Sequence, residues 1–224
     1  MRMTISMSLL FAVPVYAHVP FVEGLDFQDD QAFALEPPIE KSYAIYSSFN
    51  SATDQDRVTF RLSEADFQNE KVVMDAVGRP GRKVTFNTIV PACAPYVAVL
   101  PSVVLVGPTQ DALPSAGKLP LPLPLAENQG AYFIANTEQG HVIEEKITGT
   151  RYFQQKSAEL IVTRPGAYEF IVWEPQGRVA DYVLVVGHEE IFGPNEIAQS
   201  LKRLAYLREG QEIKDENCRQ ELKP

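Results

Sequence analysis

The stretch that decides the fold is residues 158–187, AELIVTRPGAYEFIVWEPQGRVADYVLVVG. It contains three runs rich in Val, Ile, Tyr and Phe, at residues 158–163, 167–173 and 181–186, separated by Pro, Gly and polar residues. Short apolar runs of this kind, bounded by turn-forming residues, are typical of β-strands with a buried face. The stretch therefore predicts three consecutive strands.

The same pattern continues toward the N-terminus. Residues 57–62, RVTFRL, place Val58, Phe60 and Leu62 on one face and polar side chains on the other, as in a half-buried strand. Further runs predict strands at residues 42–49, 71–77, 83–90, 96–106, 131–135 and 141–148. About ten strands with turns between them predict an all-β fold, an antiparallel β-sandwich or jelly roll.

One helix is predicted, at residues 194–209. Pro194 takes the first helical position, and Gly210 provides the stop. We expect an amphipathic stripe at helical spacing to pack this C-terminal helix onto the sandwich. The stripe consists of Ile197, Leu201, Leu204 and Ala205. The charged tail after Gly210 is expected to be loose unless Cys218 holds it.

The first 17 residues have the features of a secretory signal peptide. Arg2 gives a short positive start, residues 5–15 form an apolar stretch of about 11 residues, and Ala17 is a small residue at the cleavage position. This stretch is shorter than the roughly 20 residues that a helix needs to span a bilayer. We therefore expect a mature chain that begins at His18 and lies in the periplasm or outside the cell.

These boundaries divide the chain into a β-sandwich domain at residues 18–190 and a C-terminal helix with a charged tail at residues 191–224. Within the domain, residues 113–125, LPSAGKLPLPLPL, predict an extended loop, because proline cannot donate to a sheet ladder. The loop is interpreted as a stiff crossover between sheets, with a proline-rich ligand for a partner domain as the alternative.

Charge and cysteine content narrow the class of protein further. The formal net charge of −9 repels phosphate backbones, so nucleic acid is not an expected partner. After the signal peptide, no apolar run approaches the length of a membrane span, so no stable span is expected. The two cysteines, Cys93 and Cys218, predict a disulfide in an oxidising compartment; the alternative is two unrelated thiols.

Part of residues 158–187 has a recognisable pattern. Gly166-Ala167-Tyr168 opens one strand, a polar turn at residues 174–178 follows, and Asp181-Tyr182-Val183-Leu184 forms the next strand. This resembles the closing hairpin of pre-peptidase C-terminal-type β-sandwich domains, with Ala180 where a second glycine is expected. Residues 56–60 resemble the matching early strand.

The chain as a whole is also similar to exported, functionally uncharacterised β-sandwich proteins with an Ala-His-x-Pro start, here Ala17-His18-Val19-Pro20. The resemblance implies a non-catalytic role.

Apart from it, Gly166 permits a positive φ, and Tyr168 can bury its ring while its hydroxyl bonds a nearby loop carbonyl.

Three histidines raise the possibility of a copper site. After cleavage, His18 offers its α-amine and imidazole to one metal ion, and His141 or His188 would complete a three-nitrogen site suited to copper(II). This resembles the histidine brace of copper-dependent polysaccharide oxygenases and periplasmic copper carriers. The alternative is that His18 is simply the residue after the cut.

Two further binding hypotheses come from acids and from the single tryptophan. Carboxylates in loops can bind calcium weakly, and solvated loop charges are the alternative. The acids concerned are Asp26, Asp29, Asp30, Asp54 and Asp56. Trp173 is the candidate platform for a carbohydrate if its ring is exposed; a position in the core or at the rim of the sandwich is the alternative.

The sequence contains no recognised catalytic motif. It has no Gly-x-Ser-x-Gly, no His-Glu-x-x-His and no phosphate-binding glycine loop. We therefore expect a non-catalytic exported β-sandwich module that binds, or associates structurally with, a protein, envelope or polysaccharide partner. The alternatives are a periplasmic copper-binding protein that uses His18 and a carbohydrate-binding accessory domain.

Overall fold

The computed structural model describes residues 18–22, 33–37, 41–68, 71–114, 125–145, 148–187 and 194–222, with only the backbone for residues 194–199 and 202. Several sequence predictions concern residues outside this part of the chain and stay predictions. They are the signal peptide at residues 1–17, most of the proline-rich loop at residues 113–125, His188, Asp26, Asp29 and Asp30.

The described residues form thirteen strands and two α-helices. The strands are β1 (Val19–Val22), β2 (Phe33–Ala34), β3 (Tyr43–Phe49), β4 (Gln55–Leu62), β5 (Val73–Met74), β6 (Pro80–Pro91), β7 (Ser102–Pro108), β8 (Gln129–Ile134), β9 (His141–Glu144), β10 (Arg151–Gln154), β11 (Ala158–Val162), β12 (Gly166–Trp173) and β13 (Ala180–Val186). The helices are α1 (Pro194–Arg208) and α2 (Glu216–Leu222), and short 3-10 helices lie at Glu64–Phe67 and Ala94–Tyr96.

The strands form two sheets with a jelly-roll topology. The first sheet has the order β1-β3-β13-β6-β10-β9, with β11 and β5 also paired to β6, and the second has the order β2-β4-β12-β7-β8. The central strands have the jelly-roll order β3-β13-β6-β11 in the first sheet and β4-β12-β7-β8 in the second. The predicted β-sandwich is therefore confirmed, although the edge pairs β1–β3 and β2–β4 are parallel.

Alternating side chains build the core between the sheets. In β4, Val58, Phe60 and Leu62 are buried, while Arg57 and Arg61 on the other face are exposed, as the sequence pattern predicts. Phe170 on β12 lies with its ring centroid 5.1 Å from that of Phe86 on the opposite sheet. Each fully buried Phe or Leu side chain contributes about 1.5–3 kcal/mol, so these contacts hold the two layers together.

The prediction that β12 and β13 form a closing hairpin is wrong. Strand β12 pairs with β4 and β7 in the second sheet, and β13 pairs with β3 and β6 in the first, so residues 174–178 cross from one sheet to the other. The buried Glu174 side chain shapes this crossing, because it accepts hydrogen bonds from the backbone N–H groups of Gln176 and Arg178. The expected early strand does pair with β12, with Phe60 opposite Tyr168.

The start of β12 has the geometry that Gly166 and Tyr168 predict. Gly166 has a φ of 149°, and a Cβ there would approach Pro108 Cγ to 2.6 Å. The buried Tyr168 hydroxyl donates to the carbonyl of Arg164 and accepts from Gln110 Nε2 at 3.0 Å. Burial raises the pKa of Tyr168 to about 12, so the hydroxyl remains a donor.

Some predicted boundaries are wrong. Strand β7 begins only at Ser102, because the backbone before Pro101 makes local turns in which Tyr96 N–H donates to Cys93 and Val99 N–H donates to Tyr96. The strand expected at residues 71–77 shortens to β5, and the strand expected at 141–148 ends at Glu144. The interpretation of residues 113–125 as a crossover between the two sheets is also wrong, because β7 before this loop and β8 after it pair with each other in the second sheet.

Helix α1 lies where predicted but turns a different face to the sandwich. Leu201 remains 63% exposed, whereas Leu207 is buried against the outer face of the first sheet. Arg203 sets this orientation, because its guanidinium donates to the carbonyl of Pro20 at 2.7 Å and lies 4.7 Å from the ring centroid of Phe21. Of the predicted stripe, Leu201 and Ala205 are exposed and Leu204 is half-buried, so this part of the prediction is wrong, while the side chain of Ile197 lies outside the described part of the chain. Gly210 ends the helix at a φ of 68°, as expected.

The tail after α1 forms a second helix that the sequence analysis did not predict. Buried Ile213 joins the main core, and α2 contributes Cys218 and Leu222 to the same core.

Among the described helices, neither has both the length and the apolar character that crossing a membrane requires.

Candidate functional site

A disulfide fixes the C-terminal tail to one end of the sandwich. Cys93 and Cys218 are bonded, with their Cα atoms 5.4 Å apart and a sequence separation of 125, so the predicted pair is confirmed. Both side chains are buried. Cys93 is the second residue after the end of β6, so the bond joins α2 to that end of the first sheet.

Hydrogen bonds position the tail residues that precede α2. Asp215 Oδ1 accepts the backbone N–H of Cys218 at 2.9 Å, which caps the helix. Lys214 donates its backbone N–H to Asp181 Oδ2 at 2.7 Å, and its ammonium donates to Asn50 Oδ1, also at 2.7 Å. The tail therefore contacts β13 and the residue after β3 directly.

Asp181 is the polar centre of this end of the sandwich. Its buried carboxylate accepts the Ser48 hydroxyl at 2.8 Å on Oδ1 and the Tyr96 hydroxyl on Oδ2, besides the tail N–H. Burial, and next the Asp181 charge, raise the pKa of Tyr96 well above its usual range, so this hydroxyl stays protonated. Hydrogen bonds on both oxygens compensate for removing the carboxylate from water.

These residues surround a cavity of about 240 Å³, which we call the end pocket. Its apolar wall includes Phe49, Val99 and Val179, and its polar lining includes Lys214 and Asp215 beside the Asp181 group. Val179 is 68% exposed, which leaves an apolar side chain at the rim. An apolar wall with a few convergent polar groups is the usual form of a small-molecule site.

A second polar group lies on the outer face of the first sheet. The Tyr152 hydroxyl donates to Glu212 Oε1 at 3.1 Å, while Glu212 Oε2 has no hydrogen-bond partner among the described residues. Burial is the main cause that raises the pKa of Glu212 to about 7; Asp181 acts in the same direction, and Arg219 opposes it. Burial also raises the pKa values of Tyr46 and Tyr152. The buried site therefore disfavours the charged form of Glu212.

The two described histidines lie beside β1 and on β9, the strands at opposite ends of the first sheet's order. His18 directly precedes β1 and is half-buried, and His141 begins β9 with an exposed side chain. Burial lowers the pKa of His18, and the charge of Glu145 opposes this. Within the described part of the chain, no three His, Cys, Asp or Glu side chains form a group that could hold a metal.

Trp173 does not have the exposed ring expected of a carbohydrate platform. It is 9% exposed and stacks on Phe133 with ring centroids 5.4 Å apart. Both rings belong to an apolar cluster with Val104 and Ile171 on the outer face of the second sheet. The expectation of an exposed ring is therefore wrong, and the rim or core position applies.

The described members of the calcium hypothesis make hydrogen bonds inside the fold. Asp54 accepts the backbone N–H groups of Asn50 at 2.6 Å and Gln55 at 2.9 Å. Asp56 Oδ2 accepts the hydroxyls of Ser47 at 2.9 Å and Tyr182 at 2.7 Å. These contacts stabilise the turn between β3 and β4 and the strands beside it.

Sequence reasoning missed the end pocket. Its one signal was Asp181, an acid that opens the apolar run DYVLVV in β13, where a buried charge requires partners. Ser48, Tyr96 and Lys214 supply those partners from three distant parts of the chain. When the chain is compared with known proteins, neither a protein-family model nor a curated protein matches it.

Proposed function

We propose that the protein is a non-catalytic, exported β-sandwich module that binds a small ligand in the end pocket. The observation that carries this proposal is the pocket itself, formed where the disulfide-bonded tail meets the end of the sandwich. Its volume of about 240 Å³ lies below the roughly 300–1,000 Å³ typical of drug-sized ligands. The ligand is therefore the size of one ring or one side chain.

The hydrogen bonds around the pocket support a binding role over a catalytic one. Ser48 and Tyr96 both direct their hydroxyl protons to Asp181, and Asp181 in turn also binds the tail backbone. A nucleophile requires a base that takes its proton during the reaction, usually a histidine held by a third group. The pocket lining contains no histidine.

The disulfide supports export. Disulfides persist in oxidising compartments and are rare in the cytosol. The bond between Cys93 and Cys218 agrees with the signal peptide predicted for residues 1–17 and with a mature chain that begins at His18.

Ligand binding is tested with three ring probes that differ in charge: benzylamine, benzyl alcohol and benzoate. In ¹H–¹⁵N spectra of the mature, disulfide-bonded protein, we expect at least one probe to shift the resonances of Tyr96, Val99 and Lys214. Val179→Trp should abolish these shifts by covering the pocket. Val77→Trp is the matched control, because Val77 is 71% exposed on a distant turn.

Two outcomes would contradict the proposal. The binding role is wrong if no probe shifts the pocket resonances, or if the two tryptophan variants behave alike. The non-catalytic role is wrong if the protein hydrolyses nitrophenyl esters, phosphates or glycosides and the Asp181→Asn variant does not. The ¹H–¹⁵N spectrum of the variant must show that it is folded.

Copper binding through His18 is a second candidate function. It is supported by burial, which lowers the pKa of His18 and keeps the imidazole neutral at pH 7, the form that binds metal. The α-amine freed by cleavage, the His18 imidazole and an imidazole of His141 or His188 would be the ligands. The candidate requires an axial copper(II) resonance spectrum with nitrogen splitting that His18→Ala abolishes; without that spectrum it is excluded.

A further inference from the structure

We propose that the end pocket selects a small primary amine, an ammonium group on an apolar body of about one ring. This inference rests on the proposed function, since it names the ligand class of the same pocket. Three features carry it: the unequal burial of the charged side chains, the fixed position of the lysine, and the aromatic and aliphatic wall.

The acidic side chains dominate the electrostatic field inside the pocket. Asp181 is buried and Asp215 is half-buried, whereas Lys214, the basic residue of the lining, is exposed. Water and salt screen an exposed charge much more than a buried one. The interior of the pocket is therefore negative, although the lining contains charges of both signs.

The lysine is also held away from a ligand. Its ammonium donates to Asn50 Oδ1 at 2.7 Å, beyond the end of β3. An anionic ligand would have to break this contact and approach two carboxyl groups. A cation is attracted by the two carboxyl groups, and water screens its repulsion by the exposed Lys214 ammonium, so charge favours an amine over a carboxylate.

The acidic side chains have capacity left for an ammonium donor. Asp215 uses Oδ1 to cap α2, and Asp181 Oδ1 accepts one hydroxyl, although a carboxylate oxygen can accept two hydrogen bonds. The body of the ligand would contact Phe49, Val99 and the rim residue Val179. A primary ammonium with three donors on a short apolar body fits this lining.

The test measures affinities of benzylamine, benzyl alcohol and benzoate for the mature, disulfide-bonded protein at pH 7 by titration calorimetry and ¹H–¹⁵N spectra. Benzylamine and benzyl alcohol have nearly the same shape, so their difference reports charge. We expect benzylamine to bind about tenfold more tightly than the alcohol, as for hydrogen bonds that involve a charged group. Benzoate should bind most weakly, and added salt should weaken benzylamine binding alone.

Two amide variants locate the charge effect. Asp215→Asn should reduce the preference of the pocket for benzylamine over the alcohol, although Asp181 keeps part of it, and asparagine still caps a helix. Asp111→Asn makes the same change in net charge beyond the far end of β7 and should leave the ratio unchanged.

The outcomes separate this inference from the proposed function. If benzyl alcohol or benzoate binds the pocket as tightly as benzylamine, the amine class is wrong and the pocket remains a binding site. If Asp215→Asn leaves the ratio unchanged, the electrostatic argument is wrong. If no probe shifts the pocket resonances, the proposed function itself is wrong.

Discussion

Glu212 makes the stability of the protein depend on pH. Its side chain is 8% exposed, one carboxyl oxygen has no partner among the described residues, and burial raises its pKa from 4.5 to about 7. A group whose folded-state pKa is raised is stabilised in its protonated form. The contribution of protonated Glu212 to the free energy of unfolding is therefore complete below about pH 4.5 and is lost as the pH rises through about 7.

The size of the effect follows from the same values. Each factor of ten in protonation corresponds to about 1.4 kcal/mol, so the interval from 4.5 to about 7 corresponds to about 3 kcal/mol in the free energy of unfolding. Glu212→Gln keeps the acceptor for the Tyr152 hydroxyl and removes the titrating group. The variant should lack this part of the pH dependence and be more stable than the parent at pH 8.

The assay is urea unfolding at pH 5, 6, 7 and 8, followed by the fluorescence of Trp173. We compare the slopes of the free energy of unfolding against pH. Any effect of the glutamine side chain on stability that does not depend on pH leaves this slope unchanged. Glu209→Gln, which changes an exposed acid directly after α1 and three positions before Glu212, is the matched control and should follow the parent. Parallel curves for the parent and Glu212→Gln would refute the reasoning.

Three further predictions concern the fold and the start of the chain. Replacing Cys93 and Cys218 by serine should lower the free energy of unfolding in urea by at most about 4–5 kcal/mol, since the bond closes a loop of 125 residues. Tyr168→Phe removes a hydroxyl with two hydrogen bonds and should cost about 1–3 kcal/mol in thermal unfolding. Mass spectrometry of the exported protein should find His18 as its first residue; retention of residues 1–17 would contradict the signal peptide.

Local patterns could predict the strands but not their partners. In β4, apolar residues face the core and polar residues face outward, and the sequence RVTFRL shows this alternation directly. The turn at residues 174–178 can either close a hairpin or cross between sheets, and its residues suit both. Pairing with β4 and β7 on one side and with β3 and β6 on the other decides this, and those strands are distant in sequence.

Helix α1 shows the same limit on one element. Its start and stop are encoded locally by Pro194 and Gly210, and both are where the sequence predicts. Its buried face depends on the contact of Arg203 with Pro20 and Phe21, and a stripe of aliphatic residues does not reveal such a contact.

The candidate site was less predictable than the fold. The disulfide could be predicted, because two cysteines in a chain with a predicted signal peptide have few alternatives. The end pocket could not, since its polar centre joins Ser48, Tyr96, Asp181 and Lys214, which come together only when the tail docks.

The disulfide also determines how the protein would respond to mechanical tension. A pulling force on the two ends of the chain would pass from Cys93 to Cys218 through the covalent bond, so strands β7 to β13 and helix α1 would bear none of it. Only the first six strands and the last turn of α2 could be stretched. Reduction would release the 125-residue loop, a gain in contour length of about 400 Å. Most of the pocket lining would thus stay on the unloaded side, whereas Ser48 and Phe49 on β3 would lie in the loaded part of the chain.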